Sequence, residues 1–408
     1  MSRTIDKIKV YLDYAAATPI DHRVKEEMVK TIEFFGNPSS FNNAGRLARD
    51  KISQSRLLVA RFLGAKIDEI IFTASGSEAN NLAVFGLTKE APQELNEIVT
   101  TPIEHPSVLE PVKQLTNQGY KIHYLRVNKE GLIDLSDLEK KINRKTLLIS
   151  VIYVNNEIGT IQPIPKVYKV IKHFRDRKLA IRNYKSEVNE KIYPLFHSDA
   201  CQAAEYLDMN VNHLGVDLLT FNGSKIYSSP GVAVLYKRRG VVLKSLIYGG
   251  NQEYGLRAGT ENLSLIAGLA KAISLINRNT SKEMERLRDY FIEGLKIILP
   301  EAKINGPLKE GRQANNINIS IPDLDSEIIL LELDSYGISA SSGSACTAHS
   351  VEPSHVLKAI KVESRYINGA LRLSLGRQTT KKDVDYVLRV LPKVVWDLKK
   401  RYNTYSDN

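Results

Sequence analysis

Cysteine is almost absent from this sequence, and long hydrophobic runs are missing altogether. Only Cys201 and Cys346 occur in 408 residues, which excludes a disulfide-stapled scaffold and a zinc site built from several thiolates. No apolar stretch approaches the ~20 residues that a membrane helix needs, and the amino terminus has no apolar run of signal-peptide length. We therefore expect a cytoplasmic protein without membrane association, whose two cysteines are either buried filler or reactive thiols.

The remaining composition is that of an ordinary globular protein. Hydrophobic residues make up 43% and charged residues 25%, which argues against disorder, and the length suits two packed domains. The net charge is +11, with basic clusters at 237–239 and 399–401. Docking to nucleic acid or to an acidic protein is one interpretation of this charge. Because no aromatic-interleaved basic motif accompanies it, we expect solvated surface charge and no direct nucleic-acid binding.

Short apolar runs alternate with helix-length segments over the first two-thirds of the chain. This alternation predicts an α/β fold in which the runs are buried parallel strands. One further strand is predicted from period-two alternation over 121–127. The apolar runs are EIIFT (69–73), EIVTT (97–101), LLISVIY (147–153), YPLFHSD (193–199), DLLTF (217–221) and VAVLY (232–236).

After about residue 265 the pattern changes to that of a smaller α+β unit. We place a large domain at 15–265 and a small domain at 1–14 and 266–408. The polar stretch 181–194 is interpreted as a loop insertion. The elements predicted for the small domain are a helix over 281–299 with a capping box of Thr280 and Glu283, a strand over 315–321 and a helix over 326–333.

The segment FTASGSEANN (72–81) is a candidate phosphate cup, because it follows a predicted strand and opens a helical pattern. Gly76 would let the backbone approach a phosphate closely, and Ser77 adds a hydroxyl to the unpaired N–H groups of a helix start. A helix N-cap formed by Ser75 or Ser77, with Glu78 in the first turn, explains the same residues equally well.

The segment FHSDACQ (196–202) puts Asp199 at the end of a predicted strand, where carboxylates of parallel sheets face a ligand crevice. An aspartate that caps the next helix is the simpler interpretation of the segment alone. A metal site formed by His197, Asp199 and Cys201 is a third, which lacks a fourth ligand.

Two further segments carry a possible nucleophile. In TFNGSKIY (220–227), Lys225 follows a predicted strand, and a lysine among apolar neighbours is costly unless it is exposed or chemically used. In SSGSACTAHS (341–350), Cys346 lies among small residues that predict an open loop, from which a thiol can reach a substrate. A surface lysine and an inert turn cysteine are the alternatives.

Taken together and in this order, the motifs resemble those of the NifS/IscS-like cysteine desulfurases. Those enzymes depend on pyridoxal phosphate and have the aspartate-aminotransferase fold, fold type I. Any one motif is weak, but the ordered set is specific and spans nearly the whole chain. The motifs are YLDYAAATP (11–19), GNPSS (36–40), EHPSVL (104–109), VNNEIGT (154–160), HSDACQ (197–202), the Lys225 segment, YGGNQEYGLRAGTEN (248–262), SSGSACT (341–347) and LRLSLGR (371–377).

The resemblance implies conversion of L-cysteine to L-alanine, with the sulfur passed to Cys346 as a persulfide and with no metal ion. It assigns the Schiff base with the cofactor to Lys225, the contact with the pyridine nitrogen to Asp199, and ring stacking and proton transfer to His105. The remaining implied contacts are Asn156 and Gln202 near the phenolic oxygen, Gly76, Ser77, Asn222 and Ser224 near the phosphate, Thr260 reaching the phosphate from a partner subunit, and Arg372 with Asn156 on the substrate.

Three positions depart from the family pattern. Ser224 replaces a histidine, Asn222 replaces a serine, and Asn42 stands where a histidine is usual. Both replacements beside Lys225 can still bond a phosphate, but a positive charge is lost, so weaker cofactor affinity is expected.

The resemblance also implies a homodimer and a protein that accepts the sulfur, for iron–sulfur cluster assembly or nucleic-acid thiolation. A selenocysteine lyase or another β-lyase is the nearest alternative activity, although a β-lyase needs no protein thiol. A catalytically weak scaffold in a sulfur-modification complex is the alternative of a different class.

Overall fold

The computed structural model describes residues 9–180, 193–343 and 353–406. Cys346 and residues 181–192 of the polar insertion lie outside the described residues. Within the described part of the chain, no helix is long and apolar enough to cross a membrane.

The described strands form one large sheet and two small ones. The large sheet has seven strands in the order β2-β8-β7-β6-β5-β3-β4, which confirms the predicted α/β class and every strand predicted before residue 265. The strands are β1 (Val10–Tyr11), β2 (Ile70–Thr73), β3 (Glu97–Thr100), β4 (Lys121–Tyr124), β5 (Thr146–Ser150), β6 (Leu195–Asp199), β7 (Leu218–Asn222), β8 (Ala233–Lys237), β9 (Lys303–Ile304), β10 (Asn316–Ser320), β11 (Ile338–Ser339) and β12 (Ala370–Ser374).

One strand of the large sheet runs against the prediction of parallel strands. β8 pairs antiparallel with both β2 and β7. The connection between β7 and β8 spans only residues 223–232, which is shorter than the dozen or more residues that a parallel crossover needs. The pairs β3–β4, β3–β5, β5–β6 and β6–β7 are parallel, as predicted.

Helices follow most strands, and the α9 helix confirms the prediction for 281–299 except at its start. The capping box of Thr280 and Glu283 is wrong, because α9 begins at Asn279 after Arg278, and the Thr280 hydroxyl donates to the Asn277 carbonyl. The helices are α1 (His22–Ile32), α2 (Asn43–Leu63), α3 (Gly76–Thr88), α4 (Pro106–Thr116), α5 (Leu135–Lys141), α6 (Ile164–Ala180), α7 (Val211–Leu214), α8 (Leu263–Ser274), α9 (Asn279–Ile298), α10 (Ser326–Ser335), α11 (His355–Ala359), α12 (Ser364–Ile367) and α13 (Lys381–Ser406).

Two main groups of apolar clusters support a division of the chain into a larger and a smaller unit. The smaller unit packs Val10 and Leu12 of the amino-terminal segment against α9, β10, β12 and α13. Helix α8 packs on α1 and α2, and its Ile266 and Leu269 belong to the core of the large sheet. We therefore propose that the division lies after α8, near residue 277, instead of at residue 265.

The functional segments meet at one edge of the large sheet. Because β5, β6 and β7 are adjacent and parallel, their carboxyl ends lie side by side. β2 points in the same direction, since it is antiparallel to β8, which is antiparallel to β7. The helix starts of α3 and α4 therefore face the same edge as the turn that follows β7.

Candidate active site

A cavity of about 240 Å³ lies at this edge of the sheet. It is lined by side chains from strand ends, helix starts and the small unit, so residues far apart in the sequence converge on it. Nine of the predicted site residues line it: Gly76, Ser77, His105, Asn156, Asp199, Gln202, Asn222, Lys225 and Arg372.

Two of the predicted site residues that the structure describes, Ser224 and Thr260, do not line this cavity. The Ser224 hydroxyl donates to Asn222 Oδ1 at 3.1 Å, and the Ser224 carbonyl accepts from Thr18. Thr260 lines a second cavity of about 250 Å³, beside Arg257. Cys346 lies outside the described residues. Asn42, the third departure from the family pattern, caps α2 by accepting from the backbone N–H of Gly45 at 2.9 Å.

The start of α3 can hold a phosphate, and it is also a capped helix. The Ser75 side chain accepts from the backbone N–H of Glu78 at 3.1 Å, which confirms the cap interpretation. The next N–H groups, of Gly76 and Ser77, are first-turn donors that an anion can use. A Cβ atom on Gly76 would lie 3.0 Å from Cys201 Sγ and 3.3 Å from Asn222 Nδ2, so only glycine leaves this approach open.

Asp199 ends β6 and is 4% exposed. Its Oδ1 accepts from the backbone N–H of Cys201 at 2.9 Å, and its Oδ2 accepts from Asn80 Nδ2 at 2.8 Å. A carboxylate fixed in this way at a cavity wall can hold the protonated nitrogen of a heteroaromatic ring.

Lys225 lies in the 3-10 turn that follows β7, so its side chain enters the cavity from the strand end. Its Nζ donates to the carbonyl of Ala16, which belongs to the YLDYAAATP motif. The amine is therefore held at the cavity by the amino-terminal segment, where an aldehyde could condense with it.

His105 caps α4 and faces the cavity. Its Nδ1 accepts from the backbone N–H of Ser107 at 3.1 Å and lies 2.8 Å from the Ser107 hydroxyl. Burial lowers the pKa of His105, although nearby Asp199 opposes this shift. The lowered pKa favours a neutral imidazole, which can stack on an aromatic ring.

Arg372 brings a buried cation to the cavity from β12, which belongs to a three-stranded sheet outside the large one. It is 2% exposed, and one of its guanidinium nitrogens donates to the Asn156 carbonyl at 3.1 Å. Another pairs with Asp13 at 2.9 Å, while Nε has no partner among the described residues. A guanidinium with an unsatisfied donor fits a substrate carboxylate.

The metal interpretation of the β6 segment finds no support in the geometry. The His197 ring lies between Ser150, at 2.9 Å from Nδ1, and Thr220, at 3.3 Å from Nε2. Burial lowers the pKa of His197 to about 4, as for a neutral core histidine. Across the described ranges, no cluster of three His, Cys, Asp or Glu side chains could hold a metal ion.

Sequence reasoning missed several residues that shape the cavity. Asn80 and Ser107 connect Asp199 with His105, and Asp13 pairs with Arg372. Asn80 lies one helical turn after Gly76, so its position on the same face of α3 was a usable signal. Asp13 lies in the YLDYAAATP motif, but its pairing with Arg372 joins residues far apart in the sequence, and no local pattern indicates that contact.

Known proteins share both the sequence and the fold of this chain. The family model for aminotransferase class-V matches residues 10–387. The cysteine desulfurase IscS of Dictyoglomus turgidum is 43% identical over 397 residues, which cover 96% of each chain. Among solved structures, a NifS-like protein is 34% identical with a TM-score of 0.84, over 95% of this chain and 99% of its own. SspA, solved in complex with cysteine, is 32% identical with a TM-score of 0.76, over 90% of this chain and 99% of its own.

Proposed function

This chain belongs to the class-V aminotransferase family and is a cysteine desulfurase, and from that premise we propose roles for its own residues. The observation that supports them most strongly is the convergence of Lys225, Asp199, His105 and Arg372 on one cavity. L-cysteine is the substrate, L-alanine is the carbon product, and pyridoxal phosphate is the cofactor.

The residues of the cavity fit pyridoxal phosphate by their chemistry. The first-turn N–H groups of Gly76 and Ser77 and the Asn222 side chain would hold the phosphate, and Asp199 would hold the pyridine nitrogen. Gln202, whose Nε2 donates to the Ala15 carbonyl at 2.9 Å, and Asn156 lie where the remaining ring substituents would be bound. When bound, the cofactor supplies an electron sink for charge that develops on the substrate carbon.

Lys225 and His105 move protons in this proposal. The Lys225 amine, freed when substrate arrives, takes the α-proton of cysteine. His105 lies on the cavity wall as a neutral imidazole and serves the proton transfers near the ring. Arg372 orients the substrate through its carboxylate, with Asn156 beside it.

Cys346 receives the sulfur. Its thiolate attacks the substrate sulfur, an S–S bond forms, and the C–S bond breaks with its electron pair going to carbon, which takes a proton to become alanine.

The described residues on both sides of 344–352 attach beside the site. The Ser354 hydroxyl donates to Glu157 Oε2 at 2.5 Å, and a Cβ on Gly343 would lie 3.0 Å from the same oxygen. Glu157 follows Asn156 of the cavity wall in the sequence. The ring of His355 bonds the backbone oxygen of Glu104, next to His105, at 2.9 Å. This anchoring supports the role of Cys346.

A homodimer completes the proposal. The segment 29–47 exposes large apolar side chains that a monomer would leave in water. In the proposed dimer, Thr260 lies outside the chain's own cavity and would reach the cofactor phosphate bound by the partner chain. The exposed side chains of this segment are Val29, Ile32, Phe34, Phe35, Phe41 and Leu47. The persulfide passes to an acceptor protein in iron–sulfur cluster assembly or nucleic-acid thiolation, in the cytoplasm, where a thiol stays reduced.

Replacing the cofactor lysine tests this proposal. We expect Lys225→Ala to lose the near-visible absorbance of a lysine-linked cofactor and to form no alanine, because the described residues that line the cavity include no other lysine. The control is Lys237→Ala, at the end of β8 and away from the cavity, which should retain both the absorbance and the formation of alanine. A Lys225→Ala protein with unchanged absorbance would rule out the assignment.

A further inference from the structure

A line of buried hydrogen bonds joins Asp199 to His105 through two residues that have no role in the proposal above. Asn80, on α3, is completely buried. Its Nδ2 donates to Asp199 Oδ2 at 2.8 Å and to Ser107 Oγ at 2.8 Å. Ser107 Oγ in turn lies 2.8 Å from His105 Nδ1. The line therefore runs from the carboxylate that faces the cofactor to the imidazole that faces it.

The chemistry of the two ends fixes the direction of every bond in this line. The Asp199 carboxylate accepts, so the Asn80 amide must present its NH₂ group to Asp199. The opposite orientation would place Asn80 Oδ1 against a carboxylate oxygen. In the observed orientation, Oδ1 points away and has no partner among the described residues, which is a cost that the two donated bonds must offset.

The backbone N–H of Ser107 fixes the direction of the bond between the Ser107 hydroxyl and His105. A hydroxyl oxygen can accept two bonds, so the bond from Asn80 alone does not set this direction. Because the backbone N–H donates to Nδ1, this nitrogen is an acceptor and the hydroxyl donates to it as well. The backbone N–H of Ser107 points to the same nitrogen at 3.1 Å. Two donors on Nδ1 leave no room for a proton there.

We propose that Asn80 and Ser107 are positioning residues that hold neutral His105 as the tautomer with its proton on Nε2. In this tautomer His105 can donate a proton from Nε2, and it gains a second proton only by displacing the Ser107 hydroxyl from Nδ1. The use of that proton in sulfur chemistry rests on the proposed function, whereas the tautomer itself does not.

The surroundings of His105 favour the same neutral state. Burial lowers its pKa, and the cationic Lys225 and Arg372 and the ring of His355 act in the same direction, while Asp199 acts against them.

Nuclear magnetic resonance of the full chain as purified, with nitrogen-15 in its histidines, reads the tautomer directly. His105→Gln identifies the His105 signals among the eight histidines. We expect Nδ1 of the wild type to resonate as an unprotonated nitrogen and Nε2 as a protonated one. The backbone N–H of residue 107 remains in both variants, so Ser107→Ala, which removes the hydroxyl donor, and Asn80→Ala, which leaves that hydroxyl less fixed, should increase the fraction of His105 protonated at Nδ1 without making it complete, and should raise the pKa of His105 by roughly one unit or less.

Two further variants separate this role from a merely structural one. Ser107→Thr retains the hydroxyl and should give the same His105 nitrogen signals as the wild type. Ser198→Ala, which removes a buried hydroxyl that donates to the Val151 carbonyl at 2.7 Å, should leave them unchanged. A proton on Nδ1 in the wild type, or identical signals in Ser107→Ala and wild type, would overturn the proposal. A protein with the expected signals that forms no alanine would support the tautomer and contradict the proposed function.

Discussion

Arg372 is the residue whose environment most directly predicts how substrate is bound. Its guanidinium is almost fully buried, and Asp13 compensates its charge at 2.9 Å. An arginine buried without any anion would be strongly destabilising, so this pair explains why the protein tolerates a cation there. The unsatisfied Nε leaves capacity for a second anion. We therefore expect a substrate carboxylate to bind Arg372 without displacing Asp13.

We predict that Arg372→Gln raises the KM for L-cysteine by about ten- to a hundredfold, because bonds to charged groups contribute about 1.5–3 kcal/mol. Steady-state alanine formation over a range of cysteine concentrations measures the effect. The control is Arg377→Gln, since Arg377 pairs with Glu205 and does not line the cavity. Equal KM values in the two variants would show that Arg372 does not bind the carboxylate.

At the scale of elements, the positions of the strands along the chain were more predictable than the contacts between elements. The apolar runs predicted β2, β3 and β5 to β8, because buried strands need continuous apolar sequence, and period-two alternation predicted β4. The direction of β8 was missed, since it depends on the length of one connection. The order of the motifs predicted nine of the residues that line the cavity. The contact between Asn80 and Asp199 could not be predicted in the same way, because it joins α3 to β6 and the helical spacing of Asn80 does not show which strand it meets.

The connection between β3 and α4 is held by a buried acid. Glu104 Oε1 accepts from the backbone N–H of Ile152 at 2.7 Å and from the Thr101 hydroxyl at 2.8 Å. Burial raises the pKa of Glu104 to about 8, with Asp199 adding to the shift. The folded protein therefore retains a proton on Glu104 at pH values where the unfolded chain has lost it.

Glu104 should make stability depend on pH in a defined direction. Its pKa is raised from 4.5 to about 8, so the folded state binds the extra proton and its stability falls as pH rises through this window. We predict that Glu104→Gln removes up to about 1.4 kcal/mol per pH unit of that decline between about pH 5 and pH 7. Thermal-unfolding midpoints across this range measure it.

Glu97→Gln is the matched control for this measurement. A bond from Asn143 lowers the pKa of Glu97, so that residue is ionised in both folded and unfolded states above about pH 5. Because Glu97 also pairs with His123 at 2.8 Å, the replacement is made together with His123→Gln, and this double variant should shift the midpoints equally at each pH. If Glu104→Gln also gave a uniform shift, the buried acid would not be protonated in the folded protein.

At the scale of the whole molecule, the cavity needs both units of the chain. The strand ends of the large sheet supply Asp199 and Lys225, while β12 of the small unit supplies Arg372. In the proposed function, the cofactor contacts of this chain come from the large unit, whereas the substrate contacts come from Asn156 of the large unit and Arg372 of the small one. A change in how the two units pack would alter substrate binding before it altered cofactor binding.

The exposed segment 29–47 predicts association of two chains. We expect the wild type to sediment at twice the chain mass, and Phe35→Glu with Phe41→Glu to sediment as a monomer with weaker cofactor binding, because Thr260 then has no partner site. Both phenylalanines are 89% exposed. Trp396→Glu, on α13, replaces another exposed aromatic and should remain dimeric. A monomeric wild type would contradict this prediction.

Sulfur transfer through Cys346 is the central claim, and product formation from L-cysteine tests it most directly. Wild type, Cys346→Ala and Cys201→Ala are compared with added pyridoxal phosphate and a reductant. Cys201 is the control thiol, whose pKa burial raises well above the usual range, so it should be a poor nucleophile. We predict equal amounts of alanine and sulfide from wild type and Cys201→Ala, and neither product from Cys346→Ala. Equal yields with and without Cys346 would contradict the account.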